Sequence, residues 1–264
     1  MEVVLIDAPL PRVRRLLLNR PAARNAIDAS VRAALTAALK AAEEDDNVRA
    51  VVLGGTGKMF SAGGDLPSLA GISTAEAESR MREGHAIVMR LWHFPKPVVV
   101  ALEGIATGAG AGIALLGDHI VMGAQSRIGF PFLKIGLIPD WGVMTTLPLR
   151  CGAGVAARIL RDSETLGAER ALALHIADAL SLPDEVMDRS LQSAEQLTRL
   201  PLEAFGLMKA ALRAATDMNG ALAAERRAQV ACIVRAEFAE GYRAFREKRP
   251  AEFTNISSER SLDR

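Results

Sequence analysis

Aromatic residues are scarce in this 264-residue chain, where Phe, Trp and Tyr together make up 4% of the sequence. Proteins that bind single-stranded nucleic acid stack its bases on aromatic side chains set in a basic groove. The chain also lacks an excess of either charge, because 32 Lys and Arg residues balance 31 Asp and Glu residues. Without a strong positive field, binding to nucleic acid or to anionic lipid is not expected. A small molecule or another protein is therefore the expected partner.

Cysteine is rare, and histidine provides no metal site. Cys151 and Cys232 match no metal-binding spacing and suggest no disulfide framework, which favours a reducing cytoplasm. The histidines have no zinc-site spacing either, so we expect no metal. They are His85, His93, His119 and His175. The N-terminus lacks the basic-then-apolar order of a signal peptide, which also favours a cytoplasmic protein.

One long apolar stretch has the length of a membrane span. Between Pro97 and Gly117 only Glu103 is charged, and three glycines have GxxxG spacing. The stretch divides, however, into a β-branched piece at 98–100 and a piece rich in Gly and Ala. That division favours a strand, a tight turn and a buried helix, so we expect no membrane association.

Strands and helices alternate along the first part of the chain. Apolar β-type runs occur at 3–6, 13–18, 49–53, 97–102 and 119–123. Helical periodicity follows Asp28, a candidate N-cap, and helices are also predicted at 75–93 and 108–116. This rhythm predicts an α/β fold with a largely parallel sheet covered by helices.

Beyond about residue 153 the sequence shows no convincing buried strand. Helical patterns occur instead at 184–200, 202–215 and 220–246. We therefore predict a core over residues 1–195 and a helical C-terminal region over residues 196–264. Residues from Pro250 onward have the composition of a loose tail.

Two glycine-rich loops each follow a predicted strand and lead into a helix. The first covers residues 57–66, where Gly63 and Gly64 allow the backbone to approach a ligand closely. The second covers residues 103–112, and its helix N-terminus favours an anion. Facing each other, the loops would form an oxyanion hole that stabilises an enolate. Tight helix-on-strand packing is the alternative, while a dinucleotide site is disfavoured because the second loop lacks GxGxxG.

Several motifs stand in a characteristic order along the chain. They lie at 18–26, 60–66, 96–98, 104–110, Asp118, 135–139 and 244–250. Their joint order and spacing resemble the crotonase superfamily, the enoyl-CoA hydratases and isomerases, over roughly residues 3–250. The resemblance implies a crotonase-like spiral of ββα turns, with the C-terminal helices in trimer contacts. A homotrimer or a dimer of trimers is therefore expected.

The resemblance also implies an acyl-CoA substrate, with coenzyme A as part of the substrate and no separate cofactor. It places the oxyanion donors on the N–H groups of Gly64 and Ala109, the latter standing where glycine is usual. Arg24 and Lys248 become candidates for contacts to coenzyme A, with solvated surface charge as the alternative for each. The remaining candidate substrate contacts are Ala62, Phe132 and Trp141.

The chain departs from the family pattern where hydratases carry two catalytic glutamates. Those positions correspond to Gly112 and Phe132, and neither residue can transfer a proton. Because general acid–base catalysis contributes roughly 10²–10⁴-fold, efficient hydration by the usual route is not expected. A hydratase that uses other carboxylates, such as Glu83 or Glu103, is an alternative.

One carboxylate remains in the right region, that of Asp140, at a predicted helix start eight residues after Phe132. Its position resembles the catalytic Asp of ring-opening epoxyphenylacetyl-CoA isomerases and dienoyl-CoA isomerases, and the nucleophilic Asp of 4-chlorobenzoyl-CoA dehalogenase. The dehalogenase reaction needs further partners that the sequence does not identify. Flanking Phe130, Phe132 and Trp141 would desolvate Asp140 and raise its pKa.

The leading hypothesis is an enoyl-CoA isomerase in which Asp140 takes a proton from one carbon and returns it to another. Two other interpretations stay open. Asp is a favoured N-cap residue, in which case Asp140 has a structural role. Without a working base, the chain would be a non-catalytic acyl-CoA-binding protein.

Overall fold

The computed structural model describes residues 2–69, 72–214, 236–254 and 256. A six-stranded sheet forms the centre of the fold, in the order β1-β2-β3-β4-β6-β9. Its strands are β1 (Val4–Leu10), β2 (Val13–Leu18), β3 (Ala50–Gly55), β4 (Val98–Leu102), β6 (His119–Gly123) and β9 (Ala179–Ser181). Only β1 and β2 pair antiparallel, and all the other neighbours are parallel. The predicted α/β class and largely parallel sheet are confirmed.

A smaller sheet stands beside the first and carries the second glycine-rich loop. It contains β5 (Ile105–Thr107), β7 (Arg127–Gly129) and β8 (Thr165–Gly167), in the order β5-β7-β8. The expectation of no buried strand beyond about residue 153 is wrong in part, because β8 and β9 lie there. Each has three residues and is only partly buried. Both strands are held in place by pairing with strands that are distant in the sequence. Neither contains the run of apolar residues from which a buried strand is predicted.

Helices cover the sheets and supply the rest of the core. They are α1 (Ala29–Glu44), α2 (Thr74–Trp92), α3 (Ala109–Leu115), α4 (Val143–Cys151), α5 (Ala153–Arg161), α6 (Ala168–Ala173), α7 (Val186–Leu197) and α8 (Leu202–Ala214). The last described helix is Ala236–Glu247. Asp28 caps α1 by accepting a hydrogen bond from the Val31 N–H, as predicted. The part of the predicted 220–246 helix that precedes residue 236 lies outside the described residues.

The long apolar stretch is divided between β4, β5 and α3, as the sequence indicated. All five residues of β4 are buried, which explains why this strand is a continuous apolar run rather than an alternating one. Among the residues that the structure describes, no helix is long and apolar enough to cross a membrane. The helix α7 packs on the opposite face of the sheet, where Val186 joins Val52 and Val99 in one apolar cluster.

Candidate active site

The two glycine-rich loops lie side by side. The Ser61 N–H donates to the Ile105 carbonyl at 2.9 Å, and the Thr107 N–H donates to the Ser61 carbonyl at 3.1 Å. The buried Ser61 hydroxyl donates to the Asn25 carbonyl and accepts from the Gly63 N–H. These bonds fix the first loop against β5, the strand that leads into the second loop.

Gly63 is required where the loops meet. Its φ is +94°, and a Cβ added there would lie 2.5 Å from the Thr107 carbonyl oxygen and 3.4 Å from the Ala109 nitrogen. Any larger residue would push the loops apart. This close approach places Gly64, the next residue, beside the start of α3, where Ala109 is the first helical residue.

The backbone N–H groups of Gly64 and Ala109 are free to bind a ligand. In the described part of the chain, neither group donates a hydrogen bond to another protein atom. Ala109 stands at the N-terminus of α3, where N–H groups lack intrahelical acceptors and the helix dipole favours negative charge. Both residues line one cavity, so the two loops do face a common space.

That cavity has a volume of about 650 Å³ and a mostly apolar lining. Helix α2 lies along one side of it and the segment 131–145 along another. The predicted site residues at its wall are Ala62, Gly64, Ala109, Phe132, Asp140 and Trp141. Phe130, the third aromatic expected beside Asp140, lies in the core and does not line the cavity.

Asp140 is half-buried, and one of its two carboxylate oxygens has no protein partner. Its Oδ1 atom is shielded from solvent and has no hydrogen-bond partner among the described residues. Burial raises the pKa of Asp140, and a hydrogen bond from its own backbone N–H, followed by the charges of His85 and Arg80, opposes that effect only in part. The side chain therefore lies in the cavity wall as an acid that ionises less readily than an ordinary Asp.

Asp140 does not cap a helix. The helix α4 begins at Val143 with Gly142 as its N-cap, and no side chain makes a capping hydrogen bond there. Only the backbone carbonyl of Asp140 takes part, accepting the Val143 N–H at 3.0 Å. The N-cap interpretation is therefore wrong, because the helix begins two residues later than a cap at Asp140 would require and the Asp140 carboxylate accepts no N–H of the helix.

Trp141 occupies the space where a hydratase of this pattern would place its first glutamate. A Cβ added to Gly112 would lie 2.5 Å from Trp141 Cβ and 2.8 Å from the Trp141 carbonyl oxygen. A Cβ added to Gly84 on α2 would lie 3.1 Å from Trp141 Cζ2. Trp141 itself has a φ of +50°, which a bulky residue adopts only when packing fixes it. Glycines on α2 and α3 thus make room for Trp141 and hold the residue that follows Asp140.

The other carboxylates considered from the sequence lie elsewhere. Glu83 pairs with Arg32 at 2.8 Å, and neither Glu83 nor Glu103 lines the cavity. Burial raises the pKa of Glu103, which lies near Lys58 and Asp184 instead. Among the described residues, no cluster of three or more His, Cys, Asp and Glu side chains is arranged to hold a metal ion.

Arg24 and Lys248 do not line the cavity, although both are exposed. The Arg24 carbonyl accepts the Ala62 N–H at 2.9 Å, so its backbone borders the first loop. No contact of Lys248 connects it to the cavity wall within the described part of the chain. Both side chains are exposed surface charges. Their role in binding coenzyme A stays a prediction.

Sequence reasoning missed Arg80, which lines the cavity from α2 together with His85. Helical spacing does contain the information, because successive cavity-lining residues of α2 are three or one positions apart and share one face. They are Ala77, Arg80, Met81, Gly84 and His85. The guanidinium donates to the Ser68 hydroxyl at 2.5 Å and to the Asp65 carbonyl at 3.3 Å.

Comparison with known proteins gives a consistent result over nearly the whole chain. The sequence profile described as "Enoyl-CoA hydratase/isomerase" matches residues 12–256. A 2,3-dehydroadipyl-CoA hydratase of Escherichia coli K12 is 32% identical over 94% of this chain and 98% of its own. A 1,2-epoxyphenylacetyl-CoA isomerase of the same strain is 34% identical over 92% and 95%. A crystal structure of an enoyl-CoA hydratase from Bacillus anthracis covers 96% of this chain and 100% of its own, with a TM-score of 0.90 at 24% identity, which supports the fold.

Proposed function

Because the chain belongs to the enoyl-CoA hydratase/isomerase family of acyl-CoA enzymes, we propose that it shifts a double bond in an enoyl-CoA, with Asp140 as acid and base. The single observation that carries this proposal is the unpartnered, buried Oδ1 of Asp140 in the cavity that Gly64 and Ala109 also line. A carboxylate oxygen held there without a protein partner is available to a proton on the substrate.

The thioester carbonyl oxygen binds between the N–H groups of Gly64 and Ala109. Their hydrogen bonds polarise the carbonyl and stabilise the enolate that forms when a neighbouring carbon loses its proton. Loss of one such donor typically raises the barrier by roughly 3–4 kcal/mol. Both donors are backbone groups on fixed loops, so the site needs little reorganisation as charge develops.

Asp140 then moves one proton in two steps. As a carboxylate it takes a proton from the α or γ carbon, and the electron pair passes into the dienolate. As a carboxylic acid it returns the proton to the other carbon, and the double bond has moved by one position. The raised pKa of Asp140 favours the first step, because the carboxylate is a stronger base than that of an ordinary Asp.

Hydration requires a second group that activates water. The relatives include both hydratases and isomerases. We therefore choose between hydration and isomerisation from the carboxylates that line the cavity of this chain. Trp141 fills the space beside Gly112, and Phe132 stands at the other glutamate position. One acid–base residue suffices for a proton transfer that ends on the same molecule, which supports isomerisation.

We place coenzyme A outside the cavity against the segment around Arg24, with Lys248 as a second phosphate contact. The same proposal includes a homotrimer or a dimer of trimers in the cytoplasm, with no cofactor beyond the coenzyme A of the substrate. Size-exclusion chromatography with light scattering tests the assembly.

Turnover of 3-enoyl-CoA to 2-enoyl-CoA tests the role of Asp140. We expect Asp140→Asn to lower kcat by at least roughly 10²-fold, since the base is removed while its shape is kept. Asp162→Asn is the matched control, because Asp162 is exposed, pairs with Arg161 and does not line the cavity. Equal rates in wild type and Asp140→Asn would exclude Asp140 as the base.

A further inference from the structure

Arg80 is the one permanent cation among the described residues that line the cavity. It lies on the cavity-facing stripe of α2, with Ala77, Met81 and Gly84 as its neighbours on that face. A Cβ added to Gly64 would lie 3.5 Å from Arg80 Nη2, so the guanidinium is close to the first loop. A cation in a mostly apolar wall requires a physical explanation.

Neighbouring arginines are paired with carboxylates, whereas Arg80 is not. On the same helix, Arg82 pairs with Glu78 and Arg90 pairs with Glu43. The nearby carboxylate of Glu83 is engaged by Arg32 of α1. Within the described residues no carboxylate oxygen, including those of Asp140, lies within 4.0 Å of the Arg80 guanidinium nitrogens.

The surroundings of Arg80 favour an anionic ligand. Its two acceptors, the Ser68 hydroxyl and the Asp65 carbonyl, are neutral, and a guanidinium has five N–H donors. Burial is the largest cause that lowers the pKa of Arg80, yet an arginine stays protonated at neutral pH. The carboxylates of Asp65, Asp140 and Glu83 act on Arg80 only from a distance. A half-buried charge without a direct ion pair is unfavourable, and a carboxylate from the ligand would offset that cost.

We propose that Arg80 binds a second carboxylate carried by the acyl chain, so that the substrates are monothioesters of short dicarboxylic acids. This inference rests on the proposed function only in that the cavity holds the acyl chain. The planar guanidinium can bind both oxygens of a carboxylate. Its position beside Gly64 favours a short chain, because the thioester carbonyl lies against the same loop.

Calorimetric binding of saturated acyl-CoA pairs tests this specificity without any double-bond shift. The pairs are succinyl-CoA with butyryl-CoA, and adipyl-CoA with hexanoyl-CoA. For the preferred chain length, we expect wild type to bind the carboxylated member about 10- to 100-fold more tightly, as for a charge-assisted hydrogen bond. Arg80→Met should abolish this preference and keep the affinity for the uncharged member, whereas Arg80→Lys should keep part of the preference. Arg82→Met is the matched control, since Arg82 lies on the same helix and does not line the cavity.

Specific results would overturn the proposal. One is equal or weaker binding of the carboxylated member by wild type at both chain lengths. Another is an equal loss of affinity for both members in Arg80→Met. If Arg80→Met instead lowers kcat for charged and uncharged 3-enoyl-CoA substrates alike, while the binding preference is unchanged, Arg80 acts on the enolate and the proposal is wrong. An inactive Asp140→Asn variant that keeps the preference separates this inference from the chemistry of Asp140.

Discussion

Substitution of Gly112 by alanine tests whether Trp141 holds the active-site segment. Alanine normally stabilises a helix interior relative to glycine, by roughly 0.5–1 kcal/mol. At position 112, however, the new Cβ would lie 2.5 Å from Trp141 Cβ and 2.8 Å from the Trp141 carbonyl oxygen. Neither atom belongs to the flexible end of a side chain, so the whole segment around Trp141 must move.

Overpacking of this kind costs roughly 1–3 kcal/mol. Since each kcal/mol lowers Tm by roughly 2–4 °C in a protein of this size, we expect Gly112→Ala to lower Tm by several degrees. Activity should fall as well, because Asp140 precedes the displaced residue. Gly154→Ala is the matched control: Gly154 lies in α5, and an added Cβ there meets no atom within 4 Å.

Thermal unfolding and 3-enoyl-CoA turnover of the two variants check this reasoning. Gly154→Ala should be as stable as wild type or slightly more stable, with unchanged turnover. A Gly112→Ala protein with wild-type Tm and wild-type kcat would refute the argument that Trp141 fills this space. Gly112→Glu should likewise gain no hydratase activity, because the added carboxylate has no room beside Trp141.

Three further predictions concern Asp140 and the first loop. The kcat/KM for isomerisation should rise with pH through a pKa above that of an ordinary Asp, since the base form is required. A kcat/KM that stays constant as the pH is lowered to the ordinary pKa of Asp would contradict this. A raised pKa in the folded state also means that ionising Asp140 destabilises the fold as pH rises. Asp140→Asn should therefore increase Tm at neutral pH. An unchanged or lower Tm would contradict the raised pKa of Asp140. Ser61→Ala should lower stability by roughly 1–3 kcal/mol and reduce kcat, because the buried hydroxyl joins Asn25 to Gly63; denaturant unfolding with kinetics checks both.

Local patterns in the sequence predict much of the fold. Asp28 before an apolar-periodic run marks the start of α1, and the β-branched piece at 98–100 marks β4. The glycine-rich loops are visible as sequence, and the family resemblance they support is confirmed by the match over residues 12–256. The helix start, the strand and the loops each depend on neighbours within one helical turn or one strand, whereas the resemblance depends on the order of motifs along the chain.

Contacts between distant parts of the chain could not be predicted in the same way. Nothing near Gly112 in the sequence shows that Trp141 fills the space beside it. The predicted helix start at Asp140 is displaced to Val143, since Trp141 and Gly142 adopt left-handed backbone that breaks the helix. Whether Arg80 has a counterion likewise depends on which carboxylates the neighbouring helix engages.

The exchange of substrate protons with solvent tests the central claim most directly. In deuterated buffer, an enzyme that forms an enolate between Gly64 and Ala109 with Asp140 as its base incorporates deuterium at the α or γ carbon of a bound 3-enoyl-CoA. We predict incorporation with wild type and a loss of at least roughly 10²-fold with Asp140→Asn, detected by mass spectrometry. Binding of the acyl-CoA without any exchange by wild type, or equal exchange by both proteins, would contradict the account.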